Sequence, residues 1–427
     1  MKMPIRFSRP AALCCLLAVS FSVPSHGGGT AGPGLELSRD QAVAHALENS
    51  PLLGAARERA QAAAARRLQA GGFEPPSFSW DFDEARGDRP REYGNQVLAI
   101  EQSVEWPGLR AARKRAADWG LRAAQAGLDR MRLRLTARVK KAFDQALLAE
   151  QVVALLGDME GFMAEAVALS RVRMKSGTGA YVDLLRTRIA RQRLAAELED
   201  ARSAARAARR RLAVLLGLEA DGVRLRGELD APALAAAADG LLARAEAEGP
   251  TFRLIERRAA QAEQAYLAVR RGRWPQFDLG LGRQRLYDAG RSDYAWAGRI
   301  ALKFPLPGSD WQRGREGEAR ARLRELEQQL RALRLRARAR LVQRLDEARV
   351  LAGQVARYRQ DILPDVEDQR QAAQLDYRVR RIDALNLLDV YTTYRETRRS
   401  YLEAVTRYRA ALADLETLGE DLWEIEE

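Results

Sequence analysis

From Leu109 to about Val172, some 64 residues run without a proline. Within it, a leucine or alanine recurs at every seventh position from Leu121 to Leu156. Because an α-helix rises 1.5 Å per residue, this segment predicts a helix of roughly 95 Å. A globular core needs no helix of that length, so the chain must build an extended molecule.

Two further helices are predicted by apolar seams with alternating steps of three and four residues, the spacing of coiled coils. The turn at residues 176–179 (SGTG) leads from the first long helix into the second, which makes a helical hairpin. Frequent alanine in the seams lets neighbouring helices approach closely. The seam positions are Leu194, Leu198, Ala201, Ala205, Ala208, Leu212 and Leu215 in one helix and Leu387, Val390, Tyr394, Thr397, Tyr401, Ala404, Tyr408, Ala411, Leu415 and Leu418 in the other.

Four segments instead alternate apolar and polar residues, which predicts β-strands at about 76–106 and 275–306. The pattern fits a strand half-buried in an ordinary sheet, and it also fits a membrane strand with aromatic residues at both interfaces. We favour the membrane strand because no other β segment is predicted and the narrow helix seams could not cover these faces. The predicted lipid-facing residues are Phe78, Trp80, Phe82, Leu98, Ile100, Trp106, Phe277, Leu279, Tyr294, Trp296, Ile300 and Phe304.

Landmarks in the first half of the chain return in the same order in the second half, at offsets of about 200 residues, which indicates a duplicated domain. The matched landmarks are Pro51 with Pro250, Pro76 with Pro275, Pro107-Gly108 with Pro307-Gly308, Leu184-Leu185 with Leu387-Leu388, and Leu216-Gly217 with Leu418-Gly419. Each repeat is predicted as helix, strand, strand, helix, helix. The predicted divisions are a repeat at 35–218, a linker at 219–232, a second repeat at 233–420 and a tail at 421–427.

Each repeat leaves its second strand through a Pro-Gly corner, at Pro107-Gly108 and at Pro307-Gly308. Proline cannot donate to a strand ladder, so pairing stops there. Glycine permits the sharp change of direction that follows. We expect these corners to separate the strands from the long helices.

Four strands in lipid would leave two edges whose backbone groups lack partners, and only closed barrels avoid that cost. Closure must therefore use several chains. Two chains would give eight strands, whose interior side chains fill, whereas three would give twelve and a water-filled lumen. The polar strand faces favour three chains, which would also pool their long helices into a tube. These polar residues are Ser79, Asp81, Asp83, Glu101 and Glu105.

Residues 1–26 are typical of a secretory signal peptide, with basic residues ahead of the apolar stretch Ala11–Val23, which is too short to cross a bilayer. Both cysteines, Cys14 and Cys15, lie inside this stretch, and lipidation at either is the alternative to simple cleavage. The formal net charge of +13 could suggest nucleic acid. A secretory signal and arginines dispersed along helices argue against nucleic acid and favour solvated helix faces.

The sequence offers no constellation for catalysis or for tight binding of a metal. The two histidines are His26, inside the predicted signal peptide, and His45, interpreted as a surface helix residue. No His/Cys/carboxylate cluster has metal-ligand spacing, and no phosphate-binding loop or nucleophile with a partner histidine is present. We therefore predict a protein that is not an enzyme and that has no cofactor and no metal site.

The ordered combination of these features resembles the TolC-type outer-membrane efflux proteins over essentially the whole mature chain. The resemblance is carried by EQSVEWPGLR, by the hairpin RVRMKSGTGAYVDLLRTR and by the segment from Tyr377 to Gly419. The WPGLR corner is most similar to the heavy-metal, CzcC-like branch. This resemblance implies a homotrimer with a twelve-stranded outer-membrane barrel and a periplasmic helical tube. Such a trimer would be a passive duct for heavy-metal cations that works with a periplasmic adaptor and an inner-membrane RND-type pump.

The resemblance also implies that the two helical hairpins are periplasmic tips that dock the adaptor and face the pump. Arg380 stands where the family usually has glycine, which leaves the geometry of the second turn open. For Arg173 and Arg381, the alternative role is to counter the helix dipole. The implied tip residues are Arg173, Ser176, Gly177, Thr178 and Asp183 in the first hairpin and Tyr377, Arg380, Arg381, Ile382 and Asp383 in the second.

Two alternatives remain at the level of the sequence. Within the same family, the cargo could be organic compounds or a secreted polypeptide. From a different class, the chain could be a soluble periplasmic coiled-coil scaffold without a barrel.

Overall fold

Helices dominate the described chain, and its strands form two small sheets. The computed structural model describes residues 35–85, 93–106, 108–219, 222–233, 240–288, 291–304 and 308–420, so the predicted signal peptide, Pro107, Pro307 and the tail at 421–427 lie outside the described residues. The helices are α1 Arg39–Asn49, α2 Pro51–Gly71, α3 Leu109–Lys175, α4 Tyr181–Leu216, α5 Leu241–Glu248, α6 Pro250–Arg271, α7 Asp310–Arg357, α8 Leu363–Arg378 and α9 Ala384–Glu416. The strands are β1 Leu35–Leu37, β2 Ser77–Ala85, β3 Tyr93–Val104, β4 Val223–Leu225, β5 Gln276–Asp288 and β6 Arg291–Lys303.

The long helices form two antiparallel hairpins. The helix predicted from Leu109 spans 67 residues as α3, or roughly 100 Å, and α4 returns along it. In the other hairpin, α7 passes through a π-helical turn at Tyr358–Ile362 into α8, and α9 returns. All predicted seam positions of α4 and α9 are buried or half-buried, as their coiled-coil spacing requires.

Four strands form one antiparallel sheet in the order β2-β3-β5-β6. The central pair, β3 and β5, comes from opposite halves of the chain, with Ile100 opposite Leu281. The edge strands β2 and β6 each have a single neighbour among the described residues. Each half of the chain contains the same succession of a helix, two strands and two helical arms. The strands of both halves meet in this sheet.

A second, smaller sheet corrects the expectation that the chain has no other β segment. β1 pairs in parallel with β4, which lies inside the predicted linker, with Leu35 opposite Val223 and Leu37 opposite Leu225. Three residues are too few to produce a visible alternation, which explains why the sequence pattern missed both strands.

The largest apolar cluster lies where α1 and the C-terminal ends of α4 and α9 meet the middle of α3. Phe143, Leu212 and Tyr408 are each almost wholly buried there. The Tyr408 hydroxyl donates to the carbonyl of Pro232 at 2.7 Å, which fastens the connection between the two halves to α9.

A buried carboxylate reinforces this region. Asp144 on α3 is inaccessible to solvent and binds Arg39 at 2.8 Å and Arg409 at 2.9 Å. Arg409 also donates to the carbonyls of Glu228 and Asp230. Burial raises the pKa of Asp144, while both guanidinium groups act in the opposite direction. These contacts join α1, α9 and the connecting segment to one point on α3.

Candidate functional site

The apolar side of the four-stranded sheet has no cover within the described chain. Directly paired residues share a face, so the pairs Trp80–Leu98 and Leu279–Ile300 lie on the same side. Trp296 and Ile300 are 77% and 79% exposed, values unusual for large apolar side chains. The predicted lipid-facing residues that are exposed are Phe78, Trp80, Phe82, Leu98, Ile100, Leu279, Tyr294, Trp296, Ile300 and Phe304, while Phe277 on the same face is half-buried.

The opposite side of the sheet carries paired charges. Arg299 binds Glu101 at 3.0 Å across β3, β5 and β6, with Gly280 between them. A Cβ at Gly280 would lie only 3.1 Å from Glu101 Cγ, so glycine leaves room for this pair. Lys303 binds Asp278 at 2.7 Å, and the Ser103 hydroxyl donates to the same carboxylate. This face is therefore suited to contact with water.

Trp106 is not part of the exposed apolar face, which corrects its assignment from the sequence. β3 ends at Val104, and the half-buried Trp106 stacks on Trp274 with ring centroids 5.1 Å apart. Trp274 was not among the predicted residues. A signal was present, because each tryptophan directly precedes a proline where a helix and a strand meet. The stacked pair joins the end of β3, in the first half of the chain, to the segment between α6 and β5 in the second half.

The glycine of each corner has the backbone conformation that the turn requires. Gly108 and Gly308 have φ of 98° and 78°, in the left-handed region that glycine occupies without steric cost. Arg271, at the end of α6, donates to the Gly108 carbonyl at 2.9 Å. The first corner is thus fixed by a contact from the other half of the chain.

The two helical tips share one turn geometry. In the first, Thr178 N–H donates to the Arg173 carbonyl and Gly177 has φ of 71°. In the second, Arg381 N–H donates to the Asp376 carbonyl and Arg380 has φ of 68°. Both are Schellman caps, so the departure from glycine leaves the turn intact and places an arginine in a strained conformation.

Tyr377 lies inside the tip region rather than on its surface. Its ring is 4% exposed, and its hydroxyl lies 2.7 Å from Ser170 Oγ in a buried hydrogen bond between the two hairpins. Arg173 donates to the Tyr377 carbonyl and places its guanidinium 4.4 Å from the Tyr377 ring centroid. The side chains of Arg173 and Tyr377 thus hold the tips together, which the sequence patterns did not reveal.

The remaining predicted tip residues lie at or near the surface. Asp383 accepts a hydrogen bond from Asn386 N–H at 2.9 Å and caps α9. Asp183 is half-exposed in the first turn of α4, where a carboxylate is favourable to the helix dipole. Ile382 is half-buried against the apolar cluster of the tips. The exposed members are Ser176, Gly177, Thr178, Arg380, Arg381 and Asp383.

A cluster of Arg370 with a carboxylate and two aromatic rings, near the tips, was not predicted from the sequence. Arg370 binds Glu367 at 2.5 Å and lies 5.0 Å and 5.4 Å from the ring centroids of Phe162 and Tyr394. The hydrogen bond from Arg370 lowers the pKa of Glu367 to about 2. Phe162 belongs to the first hairpin, so this cluster also joins α3 to α8 and α9.

No helix among the described residues is long and apolar enough to cross a membrane. No group of three or more His, Cys, Asp or Glu side chains in the same residues could hold a metal ion.

Comparison with known proteins rests on three-dimensional structure. No protein-family model and no curated protein sequence matches the chain. A membrane protein from Pseudomonas aeruginosa superposes with a TM-score of 0.76 at 18% identity, covering 89% of this chain and 93% of that one. The outer membrane protein VceC from Vibrio cholerae gives 0.72 at 19% identity, with 89% and 96% covered. CusC, whose folding forms a transmembrane channel, gives 0.73 at 16% identity, with 97% and 99% covered.

The chain has the fold of these three proteins. The likeness extends over nearly the whole length of both partners, so it includes the sheet and the long helices together. It confirms the predicted fold class of a mostly helical chain with a small β region.

Replacement of the strained arginine by glycine should stabilise the second tip. A non-glycine residue in the left-handed region costs roughly 1–2 kcal/mol, so Arg380→Gly should slow amide exchange at the α8–α9 turn by about tenfold. Gly177→Ala, the reverse change at the matching position of the first tip, should accelerate exchange there. Faster exchange in Arg380→Gly would show that contacts of the guanidinium outweigh the backbone strain.

Proposed function

We propose that this chain is the outer-membrane duct of a tripartite efflux system. Three copies would form a passive channel through the outer membrane and the periplasm, in the company of a periplasmic adaptor and an inner-membrane RND-type pump that supplies the energy. One observation carries the proposal: a sheet with an exposed apolar face and open edges continues directly into helices of roughly 100 Å.

The height of the apolar face supports a membrane location. On β6, ten residues separate Tyr294 from Phe304, which at about 3.4 Å per residue is roughly 34 Å of strand. A barrel strand tilted by about 40° would give this band a height of about 26 Å, close to the typical apolar band of about 25 Å. Aromatic residues stand at both limits, where the bilayer meets water.

The edges of the sheet support a trimer. β2 and β6 would each pair with a neighbouring copy, which satisfies the backbone groups that lipid cannot. The ion pairs Glu101–Arg299 and Asp278–Lys303 would then face inward. Charged pairs are suited to a water-filled lumen, and twelve strands provide one whereas eight do not.

The exposed residues at the helical tips are the proposed docking surface for the adaptor. Arg380, Arg381 and Asp383 present charge from one hairpin, and Ser176 and Thr178 present hydroxyl groups from the other. Beneath them, Tyr377 and Arg173 keep the two hairpins in contact. The adaptor would therefore bind a surface formed by two hairpin tips that are already in contact.

For the cargo we propose heavy-metal cations, on the basis of the WPGLR corner and its similarity to the CzcC-like branch. Conduction requires binding that is weak enough for release, so a duct favours spread charges over a tight ligand set. Organic compounds and secreted polypeptides are the alternative cargoes that the same architecture could pass.

Charges on the apolar face should prevent insertion into the membrane. In Leu279→Asp/Ile300→Asp, two carboxylates would face lipid near the middle of the apolar band, and the protein should disappear from the outer-membrane fraction. Ser79→Asp, on the opposite face of the sheet, is the matched control and should insert normally. A double variant that stays folded and is recovered, like the wild type, in the soluble periplasmic fraction would favour the soluble scaffold.

Cysteines at the two edges should produce covalent trimers. The β3–β5 pairing joins the two halves within one chain. In the proposed trimer, β6 of one chain pairs with β2 of the next in the same way, because β6 and β2 lie about 200 residues from β3 and β5 respectively. Asp81→Cys combined in turn with Arg299→Cys, Ala301→Cys or Lys303→Cys covers the three neighbouring registers. One combination should give trimers on non-reducing gels after oxidation. Asp81→Cys with Gln284→Cys on a central strand should not, and dimers alone from every edge pair would contradict the trimer.

Deletion of the gene should lower tolerance to metal salts. Growth inhibition by cobalt, zinc, cadmium and copper, compared with detergents and dyes, separates the possible cargoes. Loss of metal tolerance that the wild-type gene restores would support the proposed cargo. Unchanged metal tolerance with lost dye tolerance would overturn it while leaving the duct in place.

A further inference from the structure

Two arginines interrupt the apolar face near the hairpin end of the sheet. Arg283 lies opposite Trp296 and Arg285 lies opposite Tyr294, so both share the face of Leu279 and Leu281 on the same strand. No other cation stands on this face among the described strand residues. Their position needs an explanation, because an arginine that faces hydrocarbon is costly.

Both guanidinium groups lie against one aromatic ring. The Tyr294 ring centroid is 4.6 Å from the guanidinium carbon of Arg283 and 5.3 Å from that of Arg285. Arg283 is exposed, and no carboxylate of the described residues lies within ion-pair distance of it. On the opposite face, Arg299 and Lys303 each bind a carboxylate.

The position along the strand places this cluster at a membrane interface. The helices leave the sheet at the other end, near Gly108 and Gly308, whereas Arg285 is three residues from the end of β5. In the proposed duct, the hairpin end points away from the periplasm. Arg283 and Arg285 then lie level with Trp80 and Phe82 of β2, in the aromatic layer where lipid headgroups begin.

We propose that Arg283, Arg285 and Tyr294 bind the phosphate of an anionic lipid headgroup in the outer leaflet. A guanidinium group offers parallel N–H donors that match phosphate oxygens. Two such groups, about 7 Å apart on alternate strand positions, can hold a phosphate from both sides. The Tyr294 ring orients both guanidinium groups through cation–π contact. The proposal rests on the proposed function, because it requires this face to lie in a membrane.

Quenching of tryptophan fluorescence by brominated lipids can test the site, with Trp296 beside Arg283 as the main reporter. The full-length protein is reconstituted in vesicles of brominated phosphatidylcholine and in vesicles that also contain brominated phosphatidic acid. Wild-type protein should select phosphatidic acid, and Arg283→Gln/Arg285→Gln should lose roughly fivefold of the relative affinity for each arginine removed. Arg299→Gln, on the opposite face of the neighbouring strand, should keep the wild-type preference.

The outcomes separate this site from the duct itself. Quenching by both lipids without preference in the wild type, or an unchanged preference in the double variant, would overturn the lipid site and leave the membrane barrel standing. No quenching by either lipid in the wild type would overturn the membrane barrel and the site with it. If the double variant does not insert, as its quenching by phosphatidylcholine reports, Arg283→Gln alone should still lose about fivefold.

Discussion

The backbone hydrogen bonds at the two edges of the sheet are the constraint on which the rest of the proposed architecture depends. Each edge strand has one partner among the described residues and exposes the other row of its N–H and carbonyl groups. In water such edges would be tolerable, but the exposed apolar face indicates lipid, where each unpaired group costs several kcal/mol. If the sheet lies in a membrane as proposed, the face and the edges together would require further copies of the chain. Neither feature alone would do so, because a polar sheet could remain open and a closed sheet would need no partner.

In the proposed duct, the change from lipid to water would also explain why the chain changes its period so abruptly at the corners. Strands expose a different side to lipid and to water with a period of two, and helices bury a seam with a period near three and a half. The left-handed glycines at 108 and 308 make that change within one residue. The stacked Trp106–Trp274 pair and the contact from Arg271 to Gly108 join the two halves at this level. These contacts thus hold the two halves of the chain together at the level where strands are followed by helices.

The features that sequence could predict are those encoded in local periodicity. The long helices and the four strands follow from spacing alone, and the register of the sheet places the alternating residues on the expected faces. Contacts between residues some 200 positions apart left no such pattern. The burial of Tyr377 against Ser170 and the Arg370 cluster with Phe162 depend on how two hairpins pack, which neither hairpin encodes by itself. The π-helical turn before α8 and the three-residue strands were not predicted because each is too short to repeat a helical or strand period.

The distribution of interactions along the helices indicates where the proposed duct could move most easily. Around Asp144, a large apolar cluster surrounds a buried carboxylate bound by two arginines. Removing one member of such a buried charge group typically costs about 3–5 kcal/mol. At the tips, a smaller cluster is supplemented by side-chain hydrogen bonds such as Ser170–Tyr377, each worth about 1 kcal/mol. A force applied by a docked partner would therefore separate the tips long before it disturbed the region of Asp144. In the proposed duct, the tips are therefore the part of each chain that a docked partner could move at the lowest energetic cost.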